Sequence, residues 1–206
     1  MNFRTSRRKR SVPYRIGLTG NIATGKSTVG KMLADLGAER IDADHVAHTM
    51  IAPGGAAYAG VIDAFGPTLL APDGAIDRRK LGAIVFADPN ALARLETLVH
   101  PPTIAEVERR IDASDAQVVV VEAIKLLESG MAETYDAVWV TTCAEETQVA
   151  RLMTTRGLTR ETALQRIQAQ PPQAEKIARA GVVIDTNGTL EQTREQVVTA
   201  WNAIHT

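Results

Sequence analysis

Cysteine, aromatic side chains and a dominant sign of charge are all scarce in this sequence of 206 residues. Cys143 is the only cysteine, which excludes an internal disulfide and favours a cytoplasmic setting. With only three Phe, three Tyr and two Trp, the core has to be built from Val, Ile, Leu and Ala. The net charge of −1 gives no electrostatic argument for nucleic acid as a main partner. No apolar run approaches the roughly 18–20 residues that span a bilayer, so we expect no membrane partner. We take a monomer as the working assumption for the oligomeric state.

One stretch departs from this even charge. The run "RTSRRKR", from Arg4 to Arg10, carries five basic residues in seven. It is not followed by an apolar segment of the roughly 7–15 residues that a signal peptide requires. We interpret residues 1–13 as a disordered basic extension. The alternative interpretation is a small tag for nucleic acid or a membrane surface.

Short apolar runs alternate with amphipathic stretches along the rest of the chain. Helical patterns cover 26–36, 145–155 and 190–204. The predicted strands, rich in β-branched residues, are 15–19, 39–42, 117–123, 137–142 and 181–185. Continuous apolar runs are typical of strands covered on both faces, and alternation with helices predicts parallel pairing. We therefore predict a three-layer α/β fold with a parallel five-stranded sheet.

Two long stretches interrupt this alternation. Residues 45–112 contain helical patterns but no good strand, and 152–178 are polar and rich in Arg and Gln. Loops inside compact domains seldom exceed about 12–15 residues, so the first stretch is predicted to be a helical subdomain and the second a smaller insertion. The core then comprises 14–44, 113–151 and 179–206.

The segment "GNIATGKS" matches the phosphate-loop pattern G-x-x-x-x-G-K-S/T, and it lies between a predicted strand and a predicted helix. Glycines allow the backbone N–H groups to curve around an anion, and the helix N-terminus adds its positive end. Lys26 is expected to reach the β- and γ-phosphates, and the Ser27 hydroxyl to bind Mg²⁺. The predicted nucleotide contacts in this loop are Gly20, Asn21, Ile22, Ala23, Thr24, Gly25, Lys26, Ser27 and Thr28.

The loop alone does not distinguish kinases from other nucleotide-binding proteins. The guanine-reading motif N-K-x-D is absent, and the third predicted strand ends in Glu122 rather than in an aspartate. Small size and two insertions favour a small-molecule kinase, in which one insertion holds the acceptor and the other closes over ATP. The rivals are a kinase of nucleoside monophosphates and a nucleotide-binding switch without small-molecule chemistry.

A candidate base for phosphoryl transfer follows the second predicted strand, in "ERIDADHVAH". Asp42 and Asp44 lie at the carboxyl edge of the sheet, where ligands of such folds bind. A carboxylate there can accept the proton of an attacking hydroxyl. One of the two residues could instead cap the following helix. We assign catalysis to Asp44.

The order and spacing of several blocks resemble the dephospho-coenzyme A kinase family. The resemblance extends from Ile16 to about Trp201, and its blocks are "IGLTGNIATGKSTV", "GAERIDADHVAH", "DGAIDRRKLGAIVFADPNALARLETLVHP", "LLESGMAETYDAVWVTT", "ETQVARLMTTRGLTRETALQRIQAQ" and "GVVIDTNG". It implies a P-loop kinase with a core, a helical coenzyme A-binding insertion and a lid. It also implies transfer of the ATP γ-phosphate to the ribose 3′-hydroxyl of dephospho-coenzyme A.

The resemblance also implies roles for single residues. Asp44 would be the base. Arg151 and Arg156 are the arginines that best match the basic positions of the family's lid. Residues implied on the acceptor side are Thr19, Asp44, Arg78, Leu81 and His100. Asn187 and Gly188 fall where related kinases surround adenine. Read alone, His100 is a helix-end histidine with a structural role, and that alternative stays open.

The chain departs from the family pattern at two places. Asn21 and Ala23 stand where the family usually has glycine, and "IKLLE", starting at Ile124, replaces the usual "PLLFE". We expect the phosphate loop to tolerate both small residues. Glu122 and Lys125 are expected near the phosphate loop, either as a local ion pair or as contacts to Mg²⁺-bound water or the acceptor.

Overall fold

A parallel five-stranded sheet forms the centre of the structure, a computed structural model that describes residues 12–204. Its strands are β1 (Tyr14–Thr19), β2 (Glu39–Asp42), β3 (Val118–Glu122), β4 (Ala137–Thr142) and β5 (Val182–Asp185). They lie side by side in the order β2-β3-β1-β4-β5. The predicted fold class is confirmed, and each predicted strand lies within one residue of its observed bounds. Apart from Val12 and Pro13, the predicted basic extension is outside the described residues.

Helices connect the strands and cover both faces of the sheet. They are α1 (Lys26–Asp35), α2 (Ala43–Met50), α3 (Tyr58–Phe65), α4 (Arg78–Ala87), α5 (Pro89–Ala113), α6 (Glu145–Arg156), α7 (Arg160–Gln168), α8 (Gln173–Ile177) and α9 (Leu190–Ile204). Two short 3₁₀ helices are Pro67–Leu69 and Met131–Thr134. None of the helices within residues 12–204 is long and apolar enough to cross a bilayer.

Burial on both faces explains why β3 begins with four consecutive valines. Successive side chains of a strand point to opposite faces. Val118 and Val120 pack with α1 and α9 on one face, and Val119 and Val121 pack with α2 and α5 on the other. All five β3 residues are buried as a result.

The stretch between β2 and β3 is helical, and we call α2 to α5 the helical insertion. It has an apolar core of its own, which includes Val61 and Leu69. Its last helix, α5, continues through Pro101 and Pro102, although the sequence pattern indicated a helix end near His100. Proline removes one backbone donor but does not by itself end a helix that tertiary packing holds. The second half of α5 is held in this way, because Val107 and Ile111 are fully buried against the sheet.

The polar stretch after β4 is also helical and packs against the phosphate loop. Helix α6 ends at Gly157, whose backbone is left-handed with φ 62°. Helix α7 then turns back, with the Thr159 side chain capping its first turn. Leu152 and Ile167 join the two helices in a small apolar cluster that also contacts Ile22 of the phosphate loop.

Candidate active site

The phosphate loop leaves the middle strand of the sheet. β1 lies between β3 and β4, so its carboxyl end opens at the point where the chain connections diverge to both sides, which is where ligands bind in such sheets. Gly20 is required by close packing, because a Cβ atom there would lie 2.3 Å from the Thr141 hydroxyl oxygen. Gly25 adopts φ 85° and begins α1.

The phosphate loop accommodates Asn21 and Ala23, the two residues that stand where the family usually has glycine. Ala23 has φ 60° and is the only non-glycine residue with positive φ among residues 12–204. It keeps the left-handed backbone that glycine would adopt more easily. The Asn21 side chain donates to the Pro171 carbonyl at 2.8 Å, and the Ile22 N–H donates to Gln170 Oε1 at 2.7 Å. Asn21 therefore links the loop to the segment between α7 and α8.

The two aspartates after β2 have different surroundings. Asp42 Oδ1 accepts from the His45 N–H at 2.9 Å and caps α2. Asp44 points into the cleft, where its Oδ2 lies 3.1 Å from Lys26 Nζ. The helix cap is therefore Asp42, and Asp44 is the carboxylate that faces the phosphate loop.

A cleft of about 660 Å³ surrounds this pair. Its lining includes these predicted site residues: Asn21, Ile22, Ala23, Thr24, Gly25, Lys26, Ser27, Thr28, Asp44, Arg151, Arg156 and Gly188. It also includes Asp42, the other candidate base, and residues that the sequence analysis did not single out as ligand contacts: Ile124, Thr155, Gln170, Thr186, Leu190 and Thr193. Of these, Ile124 and Thr186 come soon after β3 and β5. Their position at the carboxyl edge of the sheet could have identified them from the sequence as candidate ligand contacts. Thr155 and Gln170 reach the cleft only through the packing of α6 and α7.

The two predicted arginines differ in how they are held. The Arg151 guanidinium donates to the carbonyls of Ala23 at 3.1 Å and Thr186 at 2.5 Å, which braces the phosphate loop. Arg156, at the end of α6, is exposed on the cleft. Within the described residues it makes no hydrogen bond or ion pair with another side chain. Arg156 is therefore the arginine whose guanidinium is available to a ligand.

Two other predicted residues have structural contacts. Thr19 is fully buried, and its hydroxyl donates to the Ile124 carbonyl at 3.2 Å. Asn187 Oδ1 accepts from the Ala144 N–H at 2.8 Å and from the Thr147 hydroxyl at 3.1 Å, so it connects the end of β5 to the start of α6. Neither side chain lines the cleft, although Gly188 does.

The predicted acceptor residues of the insertion are spread over two helices. Arg78 is exposed at the start of α4, and its guanidinium lies 2.8 Å from His48 Nε2. Burial, together with the nearby Arg78 charge, lowers the pKa of His48, so its neutral form is favoured as the acceptor. Leu81 differs from the expectation, because at 4% exposure it packs in the apolar core of the insertion. His100 is half-buried in the middle of α5, not at a helix end.

Glu122 and Lys125 do not form a pair at the phosphate loop. Glu122 is 1% exposed and accepts from Arg40 Nε at 2.5 Å and Nη2 at 3.0 Å. Lys125 instead pairs with Glu96 of α5. Strand alternation explains this correction, because Glu122 points to the α1 side of the sheet and α5 covers the other side. Gly30 of α1 makes room for the pair, since a Cβ atom there would lie 1.6 Å from Glu122 Oε1.

This buried pair leads to a prediction about stability. Arg40→Met should lower the free energy of unfolding by roughly 3–5 kcal/mol, because it leaves the Glu122 charge buried without a partner. Urea unfolding measures the loss. The double variant Arg40→Met/Glu122→Gln should recover most of it, since no charge remains buried. A loss below about 1 kcal/mol for Arg40→Met would mean that the pair behaves like one at the surface.

Oxygen donors suited to a hard cation lie together in the cleft. The exposed Ser27 hydroxyl is in the first turn of α1, and Asp44 lines the same space. Within residues 12–204 there is no group of three or more His, Cys, Asp or Glu side chains that could hold a metal by themselves. This donor set fits Mg²⁺, which usually keeps several waters and is shared with substrate phosphates.

Comparison with known proteins agrees with this geometry. The family model of dephospho-CoA kinase matches residues 14–192. The dephospho-CoA kinase of Geobacter sulfurreducens is 47% identical over 189 residues, which cover 90% of this chain and 96% of the relative. The crystal structure of TT1252 from Thermus thermophilus has a TM-score of 0.85 at 33% identity and covers 95% of this chain and 100% of its own. The dephospho-CoA kinase from Campylobacter jejuni has a TM-score of 0.68 at 28% identity, with 92% and 96% covered. By these matches, the chain belongs to the dephospho-CoA kinase family.

Proposed function

We propose that this chain transfers the γ-phosphate of ATP to the ribose 3′-hydroxyl of dephospho-coenzyme A, giving coenzyme A and ADP. The observation that carries the proposal is the Asp44 carboxylate, 3.1 Å from Lys26 Nζ, in the cleft of a member of this family. A cytoplasmic setting is part of the proposal and is supported by the single, buried thiol of Cys143.

ATP binds with its phosphates against the loop between β1 and α1. The backbone N–H groups of the loop and the N-terminus of α1 supply positive partial charge. Lys26 turns from Asp44 to the β- and γ-phosphates, and Arg156 supplies a second cation from the end of α6. When Mg²⁺ is bound, held by the Ser27 hydroxyl, it neutralises charge that develops on the phosphate oxygens.

Asp44 acts on the acceptor. Its carboxylate orients the ribose 3′-hydroxyl toward the γ-phosphorus and accepts its proton as the new O–P bond forms. The bond between the γ-phosphorus and the bridging oxygen breaks, and ADP leaves with that oxygen. Phosphoryl transfer of this kind depends on positioning and charge neutralisation more than on strong deprotonation, and a carboxylate 41% exposed on the cleft suits both tasks.

Residues 45–112, which make up most of the helical insertion, are proposed to bind the acceptor, and the segment 152–178 is proposed to close over ATP. Arg78 supports the first assignment, because its exposed guanidinium matches the diphosphate of dephospho-coenzyme A. His48 orients Arg78 by accepting from it. The contacts of Asn21 and Ile22 with the α7–α8 connection support the second assignment, since they join that segment to the phosphate loop.

The test is an acceptor screen that follows ADP release together with the mass of the product. Dephospho-coenzyme A should give ADP and a product heavier by one phosphoryl group, with kcat/KM well above the values for nucleoside monophosphates. Preference for a nucleoside monophosphate would replace the proposed acceptor. ADP release without any phosphorylated acceptor would indicate a nucleotide switch, and the proposal would be abandoned.

A further inference from the structure

Lys176 of α8 is a buried lysine outside the cleft lining. It is 3% exposed, which is rare for lysine because removing an ammonium group from water is unfavourable unless it is well bonded. Its Nζ donates to the Ile124 carbonyl at 2.7 Å and to Glu128 Oε1 at 2.9 Å. Both acceptors belong to the segment that follows β3.

Ile124 connects this lysine to the cleft. Its carbonyl also accepts from the Thr19 hydroxyl at 3.2 Å, so two donors from different elements hold the same oxygen. Its N–H donates to Asp44 Oδ1 at 3.4 Å. One residue therefore links the Lys176 ammonium to the carboxylate that the proposed function makes the base.

The two oxygens of Asp44 contact donors from different elements of the fold. Oδ2 faces Lys26, and Oδ1 faces the N–H of Ile124. Once Lys26 turns to the ATP phosphates, its hold on Oδ2 weakens. The Ile124 N–H is then the contact that keeps the carboxylate oriented, and its position depends on what holds Ile124.

We propose that Lys176 is a positioning residue for phosphoryl transfer, which holds Ile124 in place and so orients the Asp44 carboxylate. This inference rests on the proposed function, because it presumes that Asp44 is the base. The Glu128 side chain is 38% exposed, so Lys176 could pair with it while its ammonium group stayed in contact with water. The bond to the Ile124 carbonyl brings the lysine beneath the cleft.

Three single variants test this inference in the full-length chain. Lys176→Met should lower kcat by about 10- to 100-fold, by analogy with the loss that follows removal of a group that orients a metal ligand, with little change in either KM. Lys176→Arg should restore most of kcat, because a guanidinium can donate to both acceptors. Glu128→Gln is the matched control, since it removes the ion pair but leaves the bond to Ile124, and its kcat should stay near that of the wild type.

Double variants separate positioning from a general structural effect. If Lys176 acts through Asp44, Lys176→Met should lower kcat far less in the Asp44→Asn background than in the wild type. The same factor in both backgrounds would overturn the inference, as would a folded Lys176→Met with wild-type kcat. Should Lys176→Met fail to fold, Lys176→Gln takes its place as a shorter polar side chain without the ammonium group, and wild-type kcat in that folded variant would also overturn the inference.

The same measurements show which proposal has failed. A wild-type chain that does not phosphorylate dephospho-coenzyme A contradicts the proposed function. Loss of activity in Asp44→Asn but not in Lys176→Met contradicts only the role of Lys176.

Discussion

Asp44→Asn should lower kcat by about 10²–10⁴-fold, the range typical of a general base, while ATP binding is largely retained. Asparagine keeps the shape and the hydrogen-bonding reach of aspartate but loses the negative charge and the proton acceptor. Asp44 is half-exposed in the cleft and does not cap α2, so the fold should be little affected. Steady-state kinetics with dephospho-coenzyme A, and ATP titration followed by thermal shift, measure the two effects separately.

Asp42→Asn is the matched control for this prediction. Asp42 caps α2 through its side chain, and asparagine ranks with aspartate at that position. Its kcat should therefore stay close to that of the wild type. An Asp44→Asn variant that keeps more than about a tenth of wild-type turnover, well short of the expected loss, would exclude Asp44 as the base, and Asp42 would be the next residue to test.

Lys26→Ala should abolish phosphoryl transfer and leave the fold intact. The ammonium pairs with Asp44 across the cleft, and the side chain adds little to the apolar core. Removing it leaves Asp44 exposed to water, so the melting temperature without ligand should barely move. A ligand that binds only the folded state adds RT ln(1 + [L]/Kd), about 2.7 kcal/mol at a hundred-fold excess over Kd. Mg-ATP should therefore raise the melting temperature of the wild type clearly and that of the variant much less.

Lys31→Ala controls for the loss of a lysine from α1. Lys31 is exposed on the same helix and is not among the residues that line the cleft. Its turnover and its response to Mg-ATP should match those of the wild type. Near-normal turnover in Lys26→Ala would contradict the assignment of the phosphate loop.

Most of the fold could be predicted from the sequence because its signals are local. A continuous apolar run such as 118–121 is typical of a strand that helices cover on both faces, and the alternation of strands with helices predicts parallel pairing. The phosphate loop was predictable for a similar reason. Its glycines shape the backbone, and its lysine and serine side chains contact a ligand close to their own positions. All of these residues lie within a dozen consecutive positions of the chain.

Tertiary structure decided which way the polar side chains point. Asp42 and Asp44 are equivalent candidates in the sequence, and only the start of α2 makes the first a cap and turns the second to Lys26. The sheet separates Glu122 from Lys125, although they are three positions apart in the chain.

The partners of the buried polar groups were likewise invisible to local pattern. Arg151 braces a carbonyl of the phosphate loop, and Lys176 reaches the Ile124 carbonyl, each across a long stretch of chain. The sequence by itself therefore determined the strands, the helices that flank the sheet in α1, α6 and α9, and the phosphate loop, since periodicity and glycine positions act over short range. Which charged groups meet at the cleft was decided by packing alone, because those contacts depend on strand face, helix register and pairs distant in sequence.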